Sequence, residues 1–361
     1  MKKTNCRIVV IVIVDGLSWW GNSKPNSSTD EPLKIGVIAG TTGEYASAGE
    51  GYLKGFNLAV EEWNTSHDLK FIPIVEDDGF NAVKGLSAYK KLSGSDKVDV
   101  YAILSSFTID AVYGLVHTEG RPVALGFEQS KPAEYDNIFQ VLPAARPVQL
   151  ALGKELKRLG YTRPAAVVSN NTPVYQNFYS GFAEGFGEGV TKYDIGSDIT
   201  GIRSQALAII NSKADVVVFF AVPKDAALLV KEILKIAGSK LPYFAFDQSI
   251  QSGIADYKNI LSTDMSKLNG SIVSMSRNDL TQEFKDSFKA KYNEEPPFGA
   301  DMGYNSFMLL ATTYDSGSQK WVENMKVANF VGADGEVKFD NTGLRIPNVF
   351  FGKLQNGEVI Q

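Results

Sequence analysis

KIGVIAGTTGEYASAGEGYLKGFNLAVEEWN, residues 34–64, sets the architecture of the chain. Its first seven residues form a nearly unbroken apolar run, the pattern of a strand buried on both faces of a parallel sheet. The middle, TTGEYASAGEG, is rich in Gly, Thr and Ser and reads as a loop. The last part places Tyr52, Phe56, Ala59, Val60 and Trp63 on one side of a helix. The unit is strand, glycine loop, helix. Its loop lies at the carboxyl end of a buried strand, where open α/β sheets hold ligands. The glycines stand at Gly40, Gly43, Gly49 and Gly51. That spacing fails the G-x-G-x-x-G dinucleotide fingerprint, and the sequence has no G-x-x-x-x-G-K-[ST] phosphate loop.

Beyond residue 64 the same alternation repeats. Strands are expected over Phe71–Glu76, Val98–Leu104, Pro122–Phe127, Ala165–Ser169, Thr191–Ile195, Asp215–Ala221 and Pro242–Phe246. Helices are expected over Asn81–Leu92, Ile109–Thr118, Pro147–Leu159, Tyr175–Phe186, Gln205–Asn211 and Ala226–Ala237. Alternation of this kind means parallel sheets with helices on both faces. The 361 residues suit two such sheets better than one.

The net charge is −5, and no Lys/Arg-rich tract follows the leader, which argues against nucleic acid as a partner. Cys6 is the single cysteine, so no internal disulfide can form. Residues 1–32 read as a leader rather than as part of the fold. A basic start (Lys2, Lys3, Arg7) precedes an Ile/Val run over Ile8–Val14, with Trp19 and Trp20 at its end. The run is too short for an ordinary membrane-spanning helix, and no A-x-A cleavage site follows it. An uncleaved anchor with interfacial tryptophans is favoured over a cleaved signal, with Gly21–Pro32 as a polar tether.

The opening stretch resembles that of the branched-chain amino-acid type of solute-binding protein, the type I periplasmic receptors of ATP-driven (ABC) importers. The resemblance runs from about Leu33 to the C-terminus. It implies two doubly wound parallel-sheet lobes joined by a three-strand hinge, an extracytoplasmic location, a small-molecule ligand and the importer's membrane permease subunits as partners. It further implies crossings near Gln140–Ala144, Ser271–Ser276 and Val327–Val331. The first lobe is then 33–141 plus 276–328, and the second 142–275 plus 331–361.

Enzyme chemistry finds little support. His67 and His117 are the only histidines, and both read as structural or surface residues. There is no zinc spacing and no G-x-S-x-G elbow, so no catalytic residue, metal or cofactor is assigned. Asp77-Asp78-Gly79 reads as turn and helix-start chemistry. A binding constellation is better marked. Ser105, Ser106 and Thr108 lie between a buried strand and a helix, where hydroxyls and helix N–H groups suit an anion. The same residues also suit a plain helix cap. The resemblance adds that this Ser-Ser turn holds the ligand carboxylate, and that Ser130 meets the ligand's α-amino and carboxylate groups. It also makes Tyr175 the aromatic that closes from the second lobe, and Asp247 the acidic partner of the α-ammonium. Glu128 falls where the family offers a backbone carbonyl. Val222-Pro223 stands where amino-acid receptors often place an aromatic, a departure that bears on the ligand. Tyr45, Phe107 and Phe298 are candidates for the side-chain pocket. The expectation is a receptor for a small zwitterion, an aliphatic amino acid first; a sensory module for amino acids or amides is the alternative.

Overall fold

The computed structural model of the chain describes residues 31–43, 45–129, 136–170, 173–196, 201–238, 240–276 and 279–360. The expected leader falls almost wholly outside them. The chain begins with β1 (Leu33–Ile38), α1 (Ala46–Ser66), β2 (Phe71–Glu76), α2 (Ala82–Lys91), β3 (Val100–Ile103), α3 (Ser106–Glu119), β4 (Val123–Leu125) and β5 (Ile138–Pro143). A second series follows: α4 (Ala145–Arg158), β6 (Pro164–Ser169), α5 (Pro173–Phe186), β7 (Thr191–Ile195), α6 (Ile202–Asn211), β8 (Val216–Phe220), α7 (Pro223–Ala237), β9 (Tyr243–Phe246), α8 (Ser249–Ser252), α9 (Ile254–Leu261) and β10 (Ile272–Met275). The rest comprises α10 (Gln282–Tyr292), α11 (Ala300–Thr312), α12 (Ser318–Lys326), β11 (Asn329–Gly332), β12 (Gly335–Lys338), β13 (Leu344–Arg345), β14 (Phe350–Gln355) and β15 (Glu358–Ile360).

The strands make two large sheets, ordered β13-β5-β4-β3-β1-β2 and β15-β14-β10-β9-β8-β6-β7. All pairings in the first are parallel. In the second, β6–β10 are parallel and β14 and β15 are added antiparallel. The strands are buried on both faces because successive side chains feed different cores. Ile35, Val37 and Ala102 pack on one side of the first sheet, Ile38, Tyr101 and Ile103 on the other. In the second sheet Val217 and Phe219 face one core, Val216, Val218 and Phe220 the opposite one. This is the period-two division expected of parallel strands sandwiched between helix layers.

The structure departs from the sequence reading in two places. Helix α1 begins at Ala46, so the second half of the glycine-rich stretch is helix rather than loop. The glycines serve close packing there. A Cβ on Gly51 would lie 2.1 Å from the Phe298 carbonyl oxygen, and one on Gly55 1.7 Å from that of Ala300. Only a bare backbone lets α1 lie this close to the start of α11. The second departure corrects the domain division. Residues 331–345, expected in the second lobe, pack on the first. Val337 and Phe339 enter the first core, and β13 pairs with β5. The third passage between sheets therefore falls after Arg345, not near Val327–Val331. Arg345 fixes that point. Its guanidinium donates to the Val141 carbonyl at 3.2 Å, to the Asp334 carboxylate at 3.0 Å and to the Glu336 carbonyl at 3.1 Å. The three passages line one cavity of about 430 Å³, which touches Pro143, Ser276, Arg345 and Pro347.

Candidate ligand-binding site

Ser105, Ser106 and Thr108 of the first lobe stand just beyond the carboxyl end of β3. Ser105 ends the loop after β3 and caps α3: its Oγ accepts the Phe107 amide at 3.2 Å, and the side chain is fully buried. Thr108, also fully buried, donates its hydroxyl to Asp78. Both hydroxyls are thus engaged inside the lobe. Ser106 donates to the main-chain carbonyl of Glu128, which lies beyond β4. Ser130 lies outside the described residues.

The Asp77-Asp78 pair behaves as turn chemistry. Asp77 accepts the Thr41 amide at 2.7 Å, the Thr42 hydroxyl at 2.6 Å and the Gly79 amide at 3.0 Å. Burial raises its carboxyl, but these bonds outweigh burial and leave it below the ordinary value. Burial prevails at Asp78 and raises it, although Thr108 and the Phe80 amide pull the other way. The histidines are peripheral. His67 stacks on Trp63 with ring centroids 3.7 Å apart, and His117 meets Asp136 at 3.1 Å on the surface.

In the second lobe Asp247 closes β9. It is 2% exposed. Its Oδ1 accepts the Ser249 amide at 2.7 Å, while its Oδ2 is buried without a hydrogen-bond partner. Burial pushes the carboxyl up to about 6, against the pull of the Ser249 hydrogen bonds. A desolvated carboxylate oxygen with nothing bonded to it suits a cation. Tyr175, half-buried at the start of α5, lies within electrostatic reach. Burial first, then Asp247, Tyr45 and Asp225, raise its hydroxyl. Tyr45 belongs to the first lobe, so this influence crosses between the lobes. Neighbouring Gln248 bonds the Ser276 amide and hydroxyl at 3.2 and 2.8 Å, tying the Asp247 loop to the second passage.

The remaining first-lobe candidates are aromatic and open. Tyr45, Phe107 and Phe298 are about half exposed, at 50%, 47% and 51%. Two further rings, which the sequence reading did not single out, join Tyr45 to Phe298. Centroids are 5.4 Å apart for Tyr45–Phe80, 5.9 Å for Phe80–Phe127 and 6.2 Å for Phe127–Phe298. The signal for Phe80 and Phe127 was their place, each among the first residues after a strand. Glu128 also proved important: its buried carboxyl contacts the Gln140 side-chain amide at 3.1 Å and the Ala145 amide, the first of α4, at 3.4 Å. Burial pushes it up to about 8, against those two bonds. No group of His, Cys, Asp and Glu fit for a metal ion occurs among the described residues.

The sequence matches the periplasmic binding protein family over residues 32–358. The chain belongs to that family. Solved structures share its fold at low identity. A leucine-binding protein from Thermotoga maritima is 18% identical, with TM-score 0.75, over 91% of this chain and 97% of that one. An isoleucine complex of a branched-chain amino-acid binding protein from Streptococcus pneumoniae gives 17% and 0.72, over 91% and 98%. A solute-binding protein from R. palustris in complex with benzoate gives 20% and 0.71, over 91% and 95%. No curated protein matches the sequence. The two lobes with mostly parallel sheets are the type I periplasmic binding protein fold, and the family is one of binding proteins. Among the described residues no helix is long and apolar enough to cross a membrane.

Proposed function

We propose that this periplasmic binding protein is the solute receptor of an ABC importer, and that its ligand is a small zwitterion with an α-ammonium and a carboxylate. The observation that carries the reading is Asp247, a buried carboxylate with one unpartnered oxygen just past the carboxyl end of β9. The ammonium pairs with it, and Tyr175 covers the ligand from the same lobe. On the other lobe the ligand inserts into the bond between Ser106 and the Glu128 carbonyl. The Ser106 hydroxyl turns to the ligand carboxylate, which releases the carbonyl to accept from the ammonium. Ser105 and Thr108 hold the turn rather than the ligand. The lobes close by a hinge motion, and the closed form docks on the permease subunits outside the cytoplasm, either secreted or tethered through residues 1–32.

The test is calorimetric titration with α-amino acids and their deamino analogues. Loss of binding is expected in both Asp247→Ala and Ser106→Ala. Unchanged affinity in both variants, or equal affinity for a ligand and its deamino analogue, sinks the site assignment.

A further inference from the structure

We propose that the ligand's side chain is aromatic, and that it is bound against a wall formed by Tyr45, Phe80, Phe127 and Phe298. This rests on the zwitterion reading above and departs from the aliphatic expectation of the sequence. The wall is continuous, each ring meeting the next edge-on or tilted. It is built from four separate segments: the loops after β1, β2 and β4, and the turn before α11. Its two ends, Tyr45 and Phe298, expose about half of their surface. The sequence makes room for it. A Cβ on Gly40 would lie 2.3 Å from the Phe80 ring and 2.8 Å from its amide nitrogen, so this ring keeps its place only because residue 40 is glycine.

Tyr45, at one end of the wall, and Asp247 both lie within electrostatic reach of the Tyr175 hydroxyl. With the ammonium on Asp247, the ligand side chain is taken to lie against this chain of rings, whose two ends are half exposed. A branched aliphatic group covers one or two of these rings. A flat ring covers more of them and gains the offset or edge-on contact that aromatic pairs favour beyond area alone. The second lobe supplies no competing aromatic after β8, where Val222-Pro223 stands.

The test is titration of the full chain with L-phenylalanine, L-leucine and 3-phenylpropionate. Phenylalanine is expected to bind about tenfold or more tighter than leucine, with 3-phenylpropionate weaker than either. Phe298→Leu is expected to lower phenylalanine affinity several-fold and leucine affinity by less. Leucine binding as tightly as phenylalanine overturns the aromatic assignment and leaves the zwitterion reading standing. Phenylpropionate matching phenylalanine overturns the zwitterion reading, and this inference with it. Failure of all three to bind overturns both. A Phe298→Leu effect equal for both amino acids overturns the wall.

Discussion

Replacing Asp247 by Asn separates folding from binding, because the two respond in opposite directions. The carboxyl lies at about 6 instead of 3.8 because the fold desolvates it. At neutral pH the folded chain therefore carries an ionisation penalty of about 3 kcal/mol relative to the unfolded chain. Below pH 3.8 the acid is protonated in both states, and that penalty is absent. As pH rises, the unfolded chain ionises first, so native stability is lost progressively up to about 6 and is constant above. Asn cannot ionise. It keeps an acceptor for the Ser249 amide but places an unpartnered amide nitrogen where Oδ2 was, which offsets part of the gain. Asp247→Asn is expected to stabilise the ligand-free protein by roughly 1–3 kcal/mol at pH 7.5 and hardly at all at pH 4, a rise of a few degrees in the melting midpoint. The same change removes a charge-assisted bond to the ammonium and should weaken α-amino-acid binding roughly 10- to 150-fold. Thermal denaturation at the two pH values and calorimetric titration at pH 7.5 measure both. A variant no more stable at pH 7.5 than at pH 4, relative to wild type, refutes the desolvation argument; unchanged affinity refutes the ammonium contact.

The buried Glu128 carboxyl, held near 8 by burial, makes wild type lose stability relative to Glu128→Gln as pH rises from about 4.5 to 8, by up to a few kcal/mol; urea titrations across that range test it. Arg345→Met removes the cation paired with the buried Asp334 carboxylate, which keeps the Asn305 amide, and should cost about 3–5 kcal/mol, with partial recovery in the Arg345→Met/Asp334→Asn double variant. Gly55→Ala sets a methyl against the Ala300 carbonyl and should destabilise by about 1–3 kcal/mol or more in urea unfolding, whereas Gly114→Ala, where a Cβ meets nothing, should be neutral or slightly stabilising.

Most parallel strands of the two sheets were legible because strands such as β1, β3 and β8 are compact apolar runs between polar turns, and parallel burial leaves that pattern in the sequence. The start of α1 was not, because glycine has two uses. In TTGEYASAGEG the same residue type that signals a loop also permits contact between helices, and only the partner backbone at Phe298 and Ala300 distinguishes them. The placement of residues 331–345 was hidden for another reason. A two-residue strand such as β13 carries no periodicity, and its attachment is decided by the long-range bonds of Arg345 to Asp334 and Val141. At the site, Asp247 was singled out by the family resemblance, and the structure places it directly after β9. That Thr108 is committed to Asp78, and that Phe80 and Phe127 link Tyr45 to Phe298, depends on loops converging from separate parts of the chain.

The return of the chain to both sheets governs the order in which the protein can be completed. β5 gains its outer neighbour only from residues 344–345, and β10 gains its own only from residues 350–353. During synthesis both strands thus stay as open edges while nearly all the rest of the chain is made. An open parallel edge is a template for another chain, and closing it from so far along the sequence is slow. Neither lobe can be finished ahead of the other. The two should mature in a single late step, during which the nascent protein is most exposed to aggregation and to chaperone capture.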